Sequence, residues 1–183
     1  MTARDTVLLI ACGALAREVK WVVEQNGWNH MQLTCLPADL HNRPQHIPDA
    51  MRRKIHEAKA SGRYSEIFAL YGDCGTGGLL DNVLHEEGVE RLPGAHCYEF
   101  FAGPAQFAEM VDEELGSFYL TDYLVRHFER LIIQGLGLDR YPHLRDDYFG
   151  YYKRVVYLAQ TDDPQLRVKA QEAAATLGLA YEL

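Results

Sequence analysis

Short apolar runs punctuate this chain, and each of its four cysteines stands where such a run gives way to a turn. Cys12 closes VLLIAC, Cys35 lies in MQLTCLPAD, Cys74 follows IFALYGD, and Cys97 follows RLPGAH. Runs of this length read as strands buried on both faces. Three of the four lead into residues at helical spacing. Strand followed by helix, repeated, demands parallel strands joined by crossover helices. In an open sheet of that kind ligands bind at the carboxyl ends of the strands. Thiols placed at that edge point to one site built from sulfur. Cysteine is also a small residue often buried at strand ends, and for any single position that is the plainer explanation.

The spacing predicts a strand over residues 6–12 and a helix over 14–26 with Leu15, Val19, Val22 and Val23 on one face, stopped by Gly27. A second strand spans 31–36, and the polar segment PADLHNRPQHIP reads as a long loop before a helix from Asp49 to Ala60, closed by Ser61 and Gly62. A third strand at 66–71 meets the turn DCGTGG, then a helix from Leu79 to Glu87 and a fourth strand at 89–92. PGAHCYEFFAG reads as loop, and Pro104 to Leu115 as helix. Beyond it, a strand beginning at Phe118 turns into a helix through Val125, Phe128, Leu131 and Ile132, and a glycine-rich break follows. The chain ends with strand RVVYLAQ, a TDDP turn in which Thr or Asp caps a helix over 164–177, and a last short strand, LAYEL. At 183 residues, 48% of them hydrophobic and 24% charged, one three-layer core is the expectation. The chain is thus expected to be a single α/β domain over 1–183, a mostly parallel sheet flanked by helices in a Rossmann-like arrangement.

A net charge of -8 argues against nucleic acid or an anionic membrane as partner. The basic residues are scattered, as in Arg52, Arg53 and Lys54, with no interleaved aromatics. MTARDTVLLIACG carries one Arg and an apolar run too short for a signal peptide, and no stretch is long enough to span a bilayer. Four cysteines without a secretory signal suit a reducing, cytoplasmic setting, where thiols serve metals or catalysis more often than disulfides.

DCGTGG is the sharpest local motif. Between a buried strand and a helix, its amides would face outward at the positive end of the helix dipole, favouring an anion and the Cys74 thiolate. Gly75, Thr76, Gly77 and Gly78 are therefore candidate substrate-binding residues, and a ligand-free tight turn is the alternative. Asp73, beside Cys74, is a candidate catalytic or ligand-holding carboxylate. The motif lacks the Lys-Ser/Thr of a phosphate loop and the spacing of a dinucleotide fingerprint, so no nucleotide cofactor is expected. His96 and Cys97 form the second candidate. With Cys12 and Cys74 at neighbouring strand ends, three thiolates could meet in a tetrahedral site with an open fourth position, which suits zinc, and His96 could join them. Such long spacing excludes a zinc finger but fits ligands gathered from separate strands. LHNRP is the third candidate: His41 could orient or protonate a substrate, Arg43 could bind a carboxylate, and Asn42 could cap the turn or touch the ligand. Ordinary turn chemistry accounts for Asn-Arg-Pro equally well. Glu99 could support His96, while Thr161 and Asp162 read as a helix cap. Tyr148, Phe149, Tyr151 and Tyr152 read as packing or an oligomer surface, and His127 and His143 show no ligand spacing.

IACGAL, the loop LH, YGDCGTGG, PGAHCYEF and FYLTDYL, in that order, resemble the DUF1638 family of bacterial and archaeal proteins, from residue 8 to about 160. The resemblance implies that Cys12, His41, Cys74, His96 and Cys97 occupy family motif positions and that Cys35 is peripheral. It also implies an association with corrinoid and one-carbon methyl transfer. Three readings follow. One is a zinc-thiolate enzyme that transfers a methyl group to a substrate thiol, with a corrinoid protein as candidate partner. The second is a metal- or corrinoid-handling binding protein without turnover. The third is a cofactor-independent racemase using Cys12 and Cys74 as base and acid. A homo-oligomer is compatible with all three.

Overall fold

A computed structural model describes residues 6–183; the N-terminal residues 1–5, with the Arg4 weighed above, lie outside the described residues. The chain divides into two compact units, one running to Cys97 and the other Tyr98–Leu183. Each has its own parallel sheet, so the strands expected to share one sheet are distributed over two.

The first unit holds β1 (Val7–Cys12), α1 (Ala16–Gln25), β2 (Met31–Leu36), α2 (Ile47–Ser61), β3 (Glu66–Leu70), α3 (Leu79–Glu87) and β4 (Glu90–Arg91). Its strands lie in the order β2-β1-β3-β4, all parallel. β1 is central: Leu8 to Cys12 are all buried, because the strand has a neighbour on each edge and helices above and below. Ile47, Met51, Ile55 and Ala58 give α2 its buried stripe, and Leu80, Val83 and Leu84 do the same for α3. Each large aliphatic side chain so buried contributes roughly 1.5–3 kcal/mol. Arg52 and Lys59 of α2 pair with Glu86 and Glu87 of α3, so these two helices share one face of the sheet. α1 connects strands in the opposite direction and, by crossover handedness, covers the other face. It keeps the helical spacing of its apolar residues, yet none of its residues is fully buried and Trp21 is 61% exposed.

Two expectations are corrected here. The segment after β2 is not a plain loop but two short 3-10 turns, Ala38–Asn42 and Pro44–His46. α2 then starts at Ile47, two residues early, because Pro48 fits a first helical turn, where no amide hydrogen bond is needed.

The second unit holds α4 (Glu99–Ala102), α5 (Pro104–Glu113), β5 (Ser117–Thr121), α6 (Asp122–Arg126), α7 (Leu144–Phe149), β6 (Arg154–Leu158), α8 (Pro164–Leu177) and β7 (Ala180–Glu182). Its parallel sheet runs β5-β6-β7. The continuous helix expected through Ile132 is broken: α6 ends at Arg126, and Glu129–Gln134 is π-helical. The glycine-rich break conceals α7, whose Phe149 is buried edge-on against Phe118, with Tyr152 beside both. The tyrosines flanking this cluster, Tyr148 and Tyr151, are exposed.

Asp163 caps α8, accepting from the Gln165 amide at 2.9 Å. Thr161 and Asp162, expected in that cap, act elsewhere: Asp162 pairs with Arg167, and the Thr161 hydroxyl donates to Asp122. Asp122 is buried at the end of β5, where its carboxylate also accepts from the Tyr157 hydroxyl at 2.7 Å and the Gln160 amide at 3.0 Å. Its own amide donates to the Gln160 side chain at 2.7 Å. This single carboxylate ties the carboxyl ends of β5 and β6 together. Removing it in Asp122→Ala leaves three donors without their acceptor and is expected to cost about 3 kcal/mol in urea unfolding. Asp122→Asn, which keeps one acceptor oxygen, is expected to recover part of that loss.

Candidate functional site

The strand order places a crevice in the first unit. The chain leaves β1 toward β2, then returns across it to β3 on the other side, so the connections from β1 and β3 diverge. Such a reversal opens a ligand-binding gap beyond the carboxyl ends of the two strands. Cys12 ends β1 at that gap, and Tyr71, Gly72, Asp73 and Cys74 follow β3 into it.

Gly72 decides what lies opposite. A Cβ there would stand 2.7 Å from the His96 carbonyl carbon and 2.9 Å from the Cys97 nitrogen, closer than any side chain tolerates. Glycine alone lets the segment after β3 run against the segment after β4. Two backbone bonds hold them together: the Asp73 amide donates to the Gly94 carbonyl at 3.0 Å, and the Cys74 amide to the Ala95 carbonyl at 2.8 Å. Arg91 braces the second segment, gripping both carboxylate oxygens of Asp81 at 2.5 and 2.9 Å and the carbonyls of Leu92 and Gly94 at 2.8 and 3.2 Å. Cys74 itself has φ 50, a left-handed conformation unusual for a residue with a side chain. Strain of this kind clusters at functional sites.

The frame delivers Cys74 Sγ to 3.1 Å from Cys97 Sγ, and the Gly72 amide donates to Cys97 Sγ at 3.4 Å. The Cys97 thiol donates to Cys74 and lowers the pKa of Cys74; burial opposes this, while hydrogen bonds from the His96 side chain and the Cys97 amide assist it. The same shared bond, followed by burial, pushes Cys97 up. Between the two, the negative charge belongs on Cys74. Buried Tyr71 lies within electrostatic reach of Cys12, Cys74 and Cys97, and burial raises its pKa first of all. Its hydroxyl donates to Cys12, whose thiol is nonetheless raised because burial outweighs the Tyr71 and Ala14 hydrogen bonds. Of the three thiols expected to meet, Cys74 and Cys97 are in contact, and Cys12 lies within electrostatic reach of both. Cys35 pairs with Ala11 across the ladder, which by strand alternation puts it on the face opposite to Ile10 and Leu36.

Asp73, the candidate catalytic carboxylate, is engaged by the turn that follows it. One carboxylate oxygen accepts from the Thr76 hydroxyl at 2.5 Å and the Gly78 amide at 2.8 Å, the other from the Gly77 amide at 3.0 Å. Burial works against ionisation, but Thr76, Gly78 and Gly77 together hold the carboxyl below its usual range. The turn thus supplies its own anion, and the amides of Gly77 and Gly78 are spent on it instead of facing an external one. Thr76, buried, also accepts from the Leu80 amide, in the first turn of α3, at 3.3 Å.

The LHNRP segment reaches the same place. Pro44 lies against Gly75, where a Cβ would make ordinary contact at 3.6 Å. His41 senses both Cys74 and His96; loss of solvent around its ring lowers its pKa first, the Cys74 charge raises it, and His96 lowers it further. Both histidines are exposed. Asn42, half-buried, ends the 3-10 turn that carries His41, and exposed Arg43 follows it. Glu99 opens α4, in the second unit. Among the described residues, no three His, Cys, Asp or Glu side chains are arranged to hold a metal ion as they stand.

Tyr71, Gly72 and Arg91 escaped the sequence reading. The first two lie inside YGDCGTGG, where a glycine directly after a buried strand is the signal for close backbone approach. Arg91 carries no such signal, since its partners come from α3 and from the turn after β4.

No helix among the described residues is long and apolar enough to cross a membrane. No curated protein and no solved structure matches the chain. A family model described as "Protein of unknown function (DUF1638)" matches residues 35–183, a span that takes in His41, Cys74, His96 and Cys97 and begins after Cys12. The chain belongs to the DUF1638 family.

Proposed function

We propose that the crevice is a thiolate metal centre in which Cys12, Cys74 and Cys97 hold a zinc ion and a substrate thiol is methylated. The observation that carries this reading is the Cys74–Cys97 sulfur contact at 3.1 Å, with Cys12 and its Tyr71 hydrogen bond within electrostatic reach of both sulfurs. Three soft sulfur donors with histidines beside them suit zinc better than magnesium or calcium, which take oxygen. Ideal tetrahedral thiolates stand about 3.8 Å apart at a zinc–sulfur distance of about 2.3 Å. The 3.1 Å thiol contact must therefore open slightly, and loss of the shared proton removes the bond that holds it closed. Zinc in such a site, with its fourth position open, would keep a substrate thiol ionised at neutral pH.

The residues of the chain do the rest. His41, within electrostatic reach of Cys74, takes the proton of the incoming thiol on a ring nitrogen. The freed sulfur then attacks the methyl carbon of the donor; a carbon–sulfur bond forms, and the donor leaves with the electron pair of the broken bond. Asn42 and Arg43, on the segment that carries His41, are placed to hold a carboxylate on the substrate. His96, hydrogen-bonded to Cys74, orients that sulfur and tunes its basicity. The association with corrinoid chemistry that the resemblance implies makes a methylated corrinoid protein the donor to try first.

Protein purified without chelator is expected to carry one zinc per chain by elemental analysis. Cys12→Ser, Cys74→Ser and Cys97→Ser should each weaken zinc binding at least tenfold, whereas Cys35→Ser should not. Metal-free protein of full activity would sink the proposal. Exchange of an amino acid α-proton for deuterium by the metal-free protein would favour the Cys12/Cys74 acid–base pair instead. Zinc retained without turnover, when thiols and a methylated corrinoid protein are supplied, would mark a carrier.

Gly72→Ala tests the frame separately. Its added methyl must push the two segments apart, costing about 2–3 kcal/mol in urea unfolding and lowering zinc affinity with every cysteine still present.

A further inference from the structure

The contact between Cys74 and Cys97 is closer than metal binding requires, and the backbone around it is held from both sides. Asp73 and Cys74 donate to the Gly94 and Ala95 carbonyls, Gly72 rests on the His96–Cys97 peptide, and Arg91 fixes the turn that precedes it. A separation of 3.1 Å between the sulfurs leaves about 1 Å to close before a disulfide bond length of about 2.05 Å is reached.

We infer that Cys74 and Cys97 form a reversible disulfide by exchange with a small-molecule disulfide, and that this bond switches the crevice off. Cys74 is the attacking sulfur: the His96 side chain hydrogen-bonds to it, while Cys97 Sγ accepts from the Gly72 amide at 3.4 Å. Attack on the external disulfide forms a bond to one of its sulfurs and expels the other as a thiolate. Cys97 then loses its proton to solvent and attacks Cys74, forming the internal bond and expelling the second thiolate. One external disulfide is reduced to two thiols, and the protein dithiol is oxidised by the same two electrons. The disulfide stands on the thiol geometry alone. Its consequence for activity rests on the metal reading above, since two of three ligands would be consumed.

The test uses the full chain, stripped with a chelator and treated with bis(2-hydroxyethyl) disulfide, then denatured and alkylated. Of the four cysteines, two are expected to resist alkylation, and the digest should contain one cross-linked peptide joining Cys74 to Cys97, cleaved by dithiothreitol. In Cys97→Ser the reaction should stop at a stable mixed disulfide on Cys74, and in Cys74→Ser adduct formation should slow at least tenfold. Zinc-loaded protein should resist oxidation at least tenfold longer than stripped protein. Four alkylated cysteines after oxidation, or a cross-link joining any other pair, overturns the inference, and this measurement needs no variant to fold. Protein that takes up no zinc yet cross-links Cys74 to Cys97 upholds the disulfide and removes the metal reading. Protein that binds zinc but never cross-links when stripped overturns the disulfide and leaves the metal reading standing.

Discussion

The approach of the Gly72 backbone to the His96–Cys97 peptide governs the crevice. Two strand-end segments that belong to different crossovers can touch only where one of them has no side chain, and Gly72 is that place. Once they touch, the amides of Asp73 and Cys74 find carbonyls at Gly94 and Ala95, so the close approach costs no buried hydrogen bond. Cys74 accepts a left-handed backbone in return, and the two sulfurs meet across the join. The Cys74–Cys97 pair descends from this contact.

Its electrostatics follow from how few protons the cluster can give up. Burial disfavours charge on Cys12, Tyr71 and Cys97 alike, and each negative charge nearby disfavours the next. A single site escapes: Cys74, which receives the Cys97 thiol and His96 as donors. A cation would reverse this order by favouring several thiolates at once, whereas oxidation would remove two of them. The metal centre and the disulfide proposed above both draw on this one condition: several acidic groups share little solvent.

The two units solve a common problem with the same device. At the end of β3, Asp73 collects a hydroxyl and two amides from the turn that follows it. At the end of β5, Asp122 collects two hydroxyls and an amide from β6 and its exit loop. In each case a carboxylate satisfies backbone donors left behind by a strand that has stopped. Asp73 thereby shapes the turn that presents Cys74, and Asp122 closes the edge of a sheet that carries no such thiol. An acidic residue at a strand end is architecture first, and only its partners show which role it has.

Local pattern was enough to mark most elements. The apolar runs, the glycines after α2, α3 and α8, and Pro164 give boundaries within a residue or two, because strand burial and helix termination depend on nearby residues alone. The short α7 and the π-helical break after α6 were illegible, since packing around Phe149 and Leu131 creates them against weak local preference. Cys12, Cys74 and Cys97 were legible as strand-end thiols, and His41 as a residue on a neighbouring loop. The sequence by itself determined an α/β chain with parallel strands and sulfur at their carboxyl ends. Only the tertiary structure decided that those strands form two sheets, that Asp73 serves its own turn, and that Cys74 meets Cys97. These depend on strand order and on one glycine's contact with a segment more than twenty residues distant, and no local periodicity encodes either.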